Sequence, residues 1–274
     1  MLVARTLDEL RAARASFGGR TLGLVPTMGA LHAGHQALVQ AAVAAGGAVA
    51  ASIFVNPLQF GPNEDLSRYP RDEAADLVKL QEAGCDLAWL PDVATMYPPG
   101  NATTVEVAGP ALHWEGAQRP GHFRGVATVV ARLFGQVRPD HAYFGEKDWQ
   151  QVQVVARMVT DLLLPVQVVP VPTVRDDDGL ALSSRNRFLS PEERLLAAVL
   201  PTVLRTACAR LPAEGLPALD AARQALEQAG FTVDYLALVD AASLETLTEP
   251  RPGSRVLAAA RLGTVRLLDN MAVG

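Results

Sequence analysis

The sequence predicts an α/β protein, a doubly wound parallel sheet followed by a smaller α+β domain, on three observations. Short apolar runs containing β-branched residues alternate with segments of helical period up to about Val174. Beyond that point the order changes to helices followed by closely spaced strands. Between the two parts lies Asp176-Asp177-Asp178-Gly179, a turn-forming cluster where no long Gly/Ser linker is found. The expected domains are residues 1–174 and 175–274.

Each element of the first part has a local reason. Residues 1–20 carry Arg5, Asp8, Glu9, Arg11, Arg14 and Arg20 through an amphipathic pattern, without the continuous apolar stretch of an export signal. Thr21–Val25 is short and apolar, as a buried parallel strand requires, and Leu38, Val39, Ala42 and Val43 then recur at helical spacing. Gln36–Gln59 is uncharged throughout, but Gly46-Gly47 divides it, so a helix and the buried strand Ala50–Val55 replace a membrane span. Asp72–Ala83 reads as a helix stopped by Gly84, and Asp86–Leu90 as a strand. Gly125–Val137 is the next helix, His141–Phe144 a strand, Trp149–Leu163 a helix and Val166–Val174 a strand. In such a Rossmann-like sheet ligands sit beyond the carboxyl ends of the strands, where loops 26–35, 56–61 and 145–151 converge.

In the second part Ser190-Pro191-Glu192-Glu193 is a helix start, with serine as cap, proline at the first position and glutamate three residues after the cap. A helix to about Leu211 follows, then one over Ala218–Ala229. Thr232–Val239, Arg255–Leu262 and Val265–Leu268 read as strands, and Arg261-Leu262-Gly263-Thr264 as a tight reversal.

Composition narrows the function. With 49% hydrophobic and 19% charged residues, the 274-residue chain buries a sizeable core. A formal net charge of −5 argues against nucleic acid as the main partner. Cys85 and Cys208 form no metal spacing or disulfide framework, read as buried small hydrophobes, and suit a reducing cytoplasm. No membrane association is expected.

Three segments carry chemistry. Pro26-Thr27-Met28-Gly29-Ala30-Leu31-His32-Ala33-Gly34-His35 joins a strand to a helix, so His32 and His35 bracket a helix N-terminus. Unpaired backbone N–H groups and the helix dipole favour an anion there, two imidazoles add donors, and Gly34 permits close approach. Gly145-Glu146-Lys147-Asp148 follows a strand, and Lys147 can neutralise charge on a transferring phosphoryl group. In Leu182-Ser183-Ser184-Arg185, two hydroxyls and a guanidinium fork suit a polyphosphate. Singly these are an ordinary capped loop, a solvated lysine and a polar loop; their joint occurrence is what points to nucleotide chemistry. Asp176–Asp178 reads as a turn rather than a metal site, and Trp89, Trp114 and Trp149 as packing residues.

The chain resembles the pantothenate synthetase (pantoate-beta-alanine ligase) family from end to end. The matching blocks are PTMGALHAGH at 26–35, SIFVNPLQF at 52–60, RYPRD at 68–72, EGAQRPGHFRGVATVV at 115–130, YFGEKDWQQ at 143–151 and DGLALSSRN at 178–186. HxGH by itself indicates the wider nucleotidyl-transferring superfamily; FVNPLQF, GEKDWQQ and LSSRN narrow it.

The resemblance implies ATP-dependent condensation of (R)-pantoate with β-alanine through pantoyl adenylate, by a homodimer that uses Mg2+ with ATP. It implies that Pro26 to His35, Gly145 to Asp148, Val174 and Leu182 to Arg185 bind ATP. His35 matches the family's proton donor, with His32 as a phosphate contact. Lys147 stabilises the transition state, Ser183 and Arg185 assist from a loop entering a lid-like second domain, and Gln59 and Gln151 hold pantoate. Asp72 and Asp76 are the candidates for a metal ligand, with no assignment made. Two other readings stay open: an HxGH nucleotidyltransferase with another acceptor, and a non-catalytic nucleotide-binding protein. A tRNA synthetase is disfavoured by the short chain and acidic balance.

Overall fold

A computed structural model describes residues 1–62, 64 and 66–274. The chain divides into two compact units, Met1–Gly145 with Gln150–Val171, and Glu146–Trp149 with Pro172–Gly274.

The first unit contains six parallel strands, β1 (Leu2–Ala4), β2 (Leu22–Thr27), β3 (Ala48–Ile53), β4 (Leu87–Trp89), β5 (His141–Gly145) and β6 (Gln167–Val171), in the spatial order β1-β4-β3-β2-β5-β6. Helices α1 (Leu7–Ser16), α2 (Ala33–Ala44), α3 (Glu73–Glu82), α4 (Val93–Met96), α5 (Glu115–Gln118), α6 (His122–Val137) and α7 (Trp149–Asp161) connect them. Side chains of a strand alternate between faces, and the core follows that period. Leu22, Leu24, Ala48, Ala50, Leu87, Trp89, Ala142 and Phe144 join Leu10 of α1, Val126 and Val130 of α6, and Val155 and Met158 of α7. The intervening Val25, Val49, Ala51, Ala88 and Tyr143 meet Leu38, Val39 and Ala42 of α2 and Leu80 of α3 on the opposite face. Both faces are therefore covered, which is why the strands read as continuous apolar runs. The direction of winding reverses between β2 and its neighbour β5, so their carboxyl ends bound the crevice where such sheets bind ligands.

The second unit holds α8 (Pro191–Ala197), α9 (Val199–Glu214), α10 (Pro217–Gln228) and an antiparallel meander β7 (Thr232–Asp240), β8 (Ser254–Leu262), β9 (Val265–Ala272). Leu200, Leu204 and Leu211 of α9 and Leu226 of α10 pack on Leu238, Val256, Ala258 and Leu267. Leu262 pairs with Val265, so Gly263-Thr264 is a two-residue hairpin with Gly263 left-handed.

Four elements depart from the sequence reading. The expected helix 190–211 is two helices broken at Ala198, because Pro201 has no N–H to return to the carbonyl of Ala197 and its ring crowds it. The apolar helical stretch 191–214 has the length of a membrane span, yet Leu200, Leu204, Ala207 and Leu211 lie in this core. Strand β6 stops at Val171 instead of Val174, before Pro172, and as an edge strand it tolerates Pro170. Strand β9 runs past Leu268 to Ala272, and within the amphipathic N-terminal segment β1 pairs with β4 and α1 starts with a Thr6–Glu9 capping box. The turn reading of Asp176–Asp178 agrees with the structure: Gly179 N–H donates to the Asp176 carbonyl, and Arg194 bridges Asp176 and Asp178 at 2.8 and 2.5 Å.

Candidate active site

In the first unit, β2 ends at Thr27 and His32 caps α2. The two histidines form a reciprocal box: His32 Nδ1 accepts from Gly34 N–H at 3.1 Å, and His35 Nδ1 accepts from His32 N–H at 3.3 Å. The rings lie 4.1 Å apart. An accepting Nδ1 places the proton of a neutral imidazole on Nε2, so each ring directs its donor nitrogen away from the helix end. This differs from the expectation of unpaired backbone donors at the helix end. The N–H groups of His32 and Gly34 are taken by the imidazoles and that of His35 by the His32 carbonyl.

The loop leading to this cap is tied to α3. Asp76, 2% exposed, accepts from Ala30 N–H at 2.9 Å and Leu31 N–H at 2.7 Å. Thr27 Oγ1 donates to the Ser52 carbonyl and accepts from Gly29 N–H. Both metal candidates are thus engaged in backbone bonds, since Asp72 caps α3 through Ala75 N–H. Among the described residues no three His, Cys, Asp or Glu side chains form a metal cage.

Gln59 is buried beside Met28: its Nε2 donates to Met28 Sδ at 3.1 Å and its Oε1 accepts from Asn56. Asn56 in turn donates to the Gly125 carbonyl and accepts from the Tyr97 hydroxyl. The Gln59 carbonyl accepts from His122 Nδ1–H at 2.9 Å, and His122 Nε2 accepts from Arg119 at 3.1 Å. Burial, followed by the adjacent guanidinium, pushes the His122 pKa down to about 4. Arg119 grips Glu64 with two bonds of 2.7 and 2.6 Å; burial opposes that carboxylate's charge, but the guanidinium holds its pKa below the ordinary value. Gln151 on α7 is half-buried, while its neighbour Gln150 is spent on Glu115 N–H and the carbonyls of Pro110 and His113.

The second unit brings the remaining predicted residues together. Lys147, Ser183 and Arg185 line one small cavity, with Arg266 and Asp269. Lys147 Nζ lies 3.5 Å from Asp148. Asn270 Nδ2 donates to the carbonyls of both Glu146 and Lys147, fixing the turn that presents the lysine. The same turn ends at Trp149, which donates to the Ala241 carbonyl and carries the Arg255 guanidinium 3.8 Å above its ring. Val174 and Leu182 pair through the Leu182 N–H, and Ser183 caps the 184–188 turn by accepting from Arg185 N–H. Arg175 anchors this hairpin with a two-bond contact to the buried Asp269 at 2.7 and 2.8 Å.

The sequence reading therefore located the motif residues and missed those that position them. Asn56, Arg119 and His122 lie inside matched blocks but received no role, Asp76 was named only as a metal candidate, and Asn270 lies outside every motif. The buried free thiols agree with their reading as inert hydrophobes, burial raising Cys85 and Cys208 to about 11.

Comparison with known proteins converges on one group. The family described as Pantoate-beta-alanine ligase matches residues 2–272. A pantothenate synthetase of Acidiphilium cryptum is 63% identical, over 100% of both chains. The crystal structure of pantothenate synthetase from Thermus thermophilus superposes with a TM-score of 0.95 at 53% identity, covering 100% of this chain and 99% of that one. A pantoate-beta-alanine ligase from Francisella tularensis, complexed with beta-gamma ATP and beta-alanine, gives 0.84 at 32% identity, covering 99% and 97%. On the strength of a whole-chain family match, high identity and a shared two-unit fold, the chain belongs to the pantoate-beta-alanine ligase family.

Proposed function

We propose that this ligase joins (R)-pantoate to β-alanine in two steps through pantoyl adenylate. A pantoate carboxylate oxygen attacks the α-phosphorus of ATP, and the bond to the bridging oxygen breaks to release diphosphate. The neutral β-alanine amine then attacks the acyl carbon; AMP leaves, the amine loses a proton, and pantothenate is formed. The observation that carries this reading is the reciprocal histidine cap, which orients two imidazole donors at the carboxyl end of β2 beside the winding reversal.

In this scheme the loop from Pro26 to His35 holds ATP, with His35 as proton donor to the departing oxygen and His32 as phosphate contact. Charge on the α-phosphate and on diphosphate grows in the transition state, so fixed cations matter more than a strong base. Lys147 and Arg185 supply them, Ser183 and Ser184 add short donors, and Gly145 to Asp148, Val174 and Leu182 complete the nucleotide contacts. Gln59 and Gln151 recognise the carboxylate and hydroxyls of pantoate through amides that both donate and accept. Mg2+ enters as part of the MgATP substrate. The protein acts as a homodimer in the cytoplasm.

Pantoate labelled with 18O in its carboxylate tests the scheme. Label in AMP, with diphosphate release dependent on pantoate and pantothenate formed only in the complete mixture, is the expected result. Unlabelled AMP would overturn the adenylate.

A further inference from the structure

We infer that Asp76 is a positioning residue that presets the histidine loop for ATP, an inference that rests on the ATP-binding role proposed above. Four observations converge on it. Both carboxylate oxygens are consumed by consecutive main-chain donors, Ala30 N–H at 2.9 Å and Leu31 N–H at 2.7 Å. Those bonds hold a left-handed pair, Gly29 at φ +80° and Ala30 at φ +51°, the second a conformation that an alanine adopts only under constraint. A Cβ on Gly29 would stand 2.8 Å from Asp76 Oδ2, so loop and carboxylate are fitted to one another. One helical turn later, Lys79 Nζ donates to the Leu31 carbonyl at 2.6 Å, so α3 fixes both polar groups of the residue that precedes His32.

With Thr27 serving Gly29 N–H and His35 serving His32 N–H, every main-chain donor from 29 to 32 is satisfied by a side chain. The backbone of this loop is committed to its own shape. What it offers ATP is the aim of the two imidazoles, and that aim depends on the left-handed turn Asp76 stabilises. In Asp76→Asn the volume is kept, but an amide N–H2 faces one of the two backbone N–H groups, which leaves a buried donor opposing a donor. The turn is then free to relax, and the imidazoles with it.

The test is the Kd of ATP, by titration calorimetry in buffer containing EDTA and again with Mg2+, for the wild type and Asp76→Asn, alongside the KM for pantoate. At least a tenfold rise in Kd under both conditions is expected, with the pantoate KM within twofold of wild type. Adding Ala30→Gly to Asp76→Asn is expected to recover threefold or more of the lost affinity, because glycine adopts the left-handed turn unaided. Should Asp76→Asn fail to fold, Lys79→Met carries the same prediction at about threefold through the lost bond to the Leu31 carbonyl. Unchanged affinity in EDTA with loss only in Mg2+ would make Asp76 a metal ligand and overturn the inference; so would no rescue by Ala30→Gly, or equal losses for both substrates. A wild type that does not bind ATP would instead remove the proposed function.

Discussion

Replacing Gly125 by alanine sets helix propensity against tertiary contact, and the two predict opposite signs. Gly125 lies in the first half of α6, where alanine by propensity alone is favoured by about 1 kcal/mol. The alanine methyl, however, would overlap the Leu58 carbonyl and stand 2.7 Å from Gln59 Cα, both backbone of the Pro57–Gln59 turn. Backbone cannot swing aside as a flexible side chain does, so the turn shifts, at about 1–3 kcal/mol or more for an overpacked interior. The net expectation is a loss of up to about 2 kcal/mol. Gly135, on the same helix, has nothing within 4 Å of its Cβ position, so Gly135→Ala is the control and gains about 0.5–1 kcal/mol. At roughly 2–4 °C per kcal/mol for a chain of this size, thermal unfolding separates the two variants clearly. Because the displaced turn carries Gln59, Gly125→Ala should also raise the KM for pantoate while leaving the ATP KM near wild type. A Gly125→Ala protein as stable as Gly135→Ala, with an unchanged pantoate KM, would refute the reasoning.

Two further outcomes follow from the site. Lys147→Ala should slow pantoate-dependent diphosphate release by roughly two orders of magnitude or more, with the melting temperature retained, since among the described residues its ammonium pairs with Asp148 at a loose 3.5 Å; near wild-type turnover would show the lysine to be a surface charge. His122 makes stability pH-dependent in a defined window. Its folded pKa is about 4 against an ordinary 6.5, so below 6.5 the unfolded chain takes up a proton that the native state refuses. Its contribution is complete above 6.5 and is lost as pH falls towards 4, on the order of 3 kcal/mol at about 1.4 kcal/mol per unit. His122→Asn, whose amide can replace the Nδ1–H bond to the Gln59 carbonyl, should flatten the urea-measured stability between these pH values; an unchanged slope would show that other groups carry it.

Local pattern made much of the fold legible. Strand β2 and helix α2 are readable because burial on both sheet faces demands a continuous apolar run, and a helix on one face demands recurring Leu38, Val39 and Ala42. Ser190 to Glu193 was readable because a capping box is complete within four residues. Where the reading fell short, the deciding partner lay far along the chain. Strand β9 looks finished at Leu268 because Asp269 and Asn270 are polar, yet both are buried, Asp269 against Arg175 and Asn270 against the carbonyls of Glu146 and Lys147.

The same division runs through the candidate site. By itself the sequence determined the fold class, most of the strands and helices, and the short motif blocks that contain the candidate residues His32, His35, Gln59, Lys147, Ser183 and Arg185, because each block is complete within a few neighbouring positions. Only the tertiary structure decided how those groups are aimed. Asp76 reaches the loop from α3, Arg119 at the end of α5 and His122 at the start of α6 hold the Gln59 carbonyl, and Asn270 steadies the Lys147 turn from β9. These are side-chain bonds to backbone between distant segments, and a backbone group has no residue type for a sequence to display.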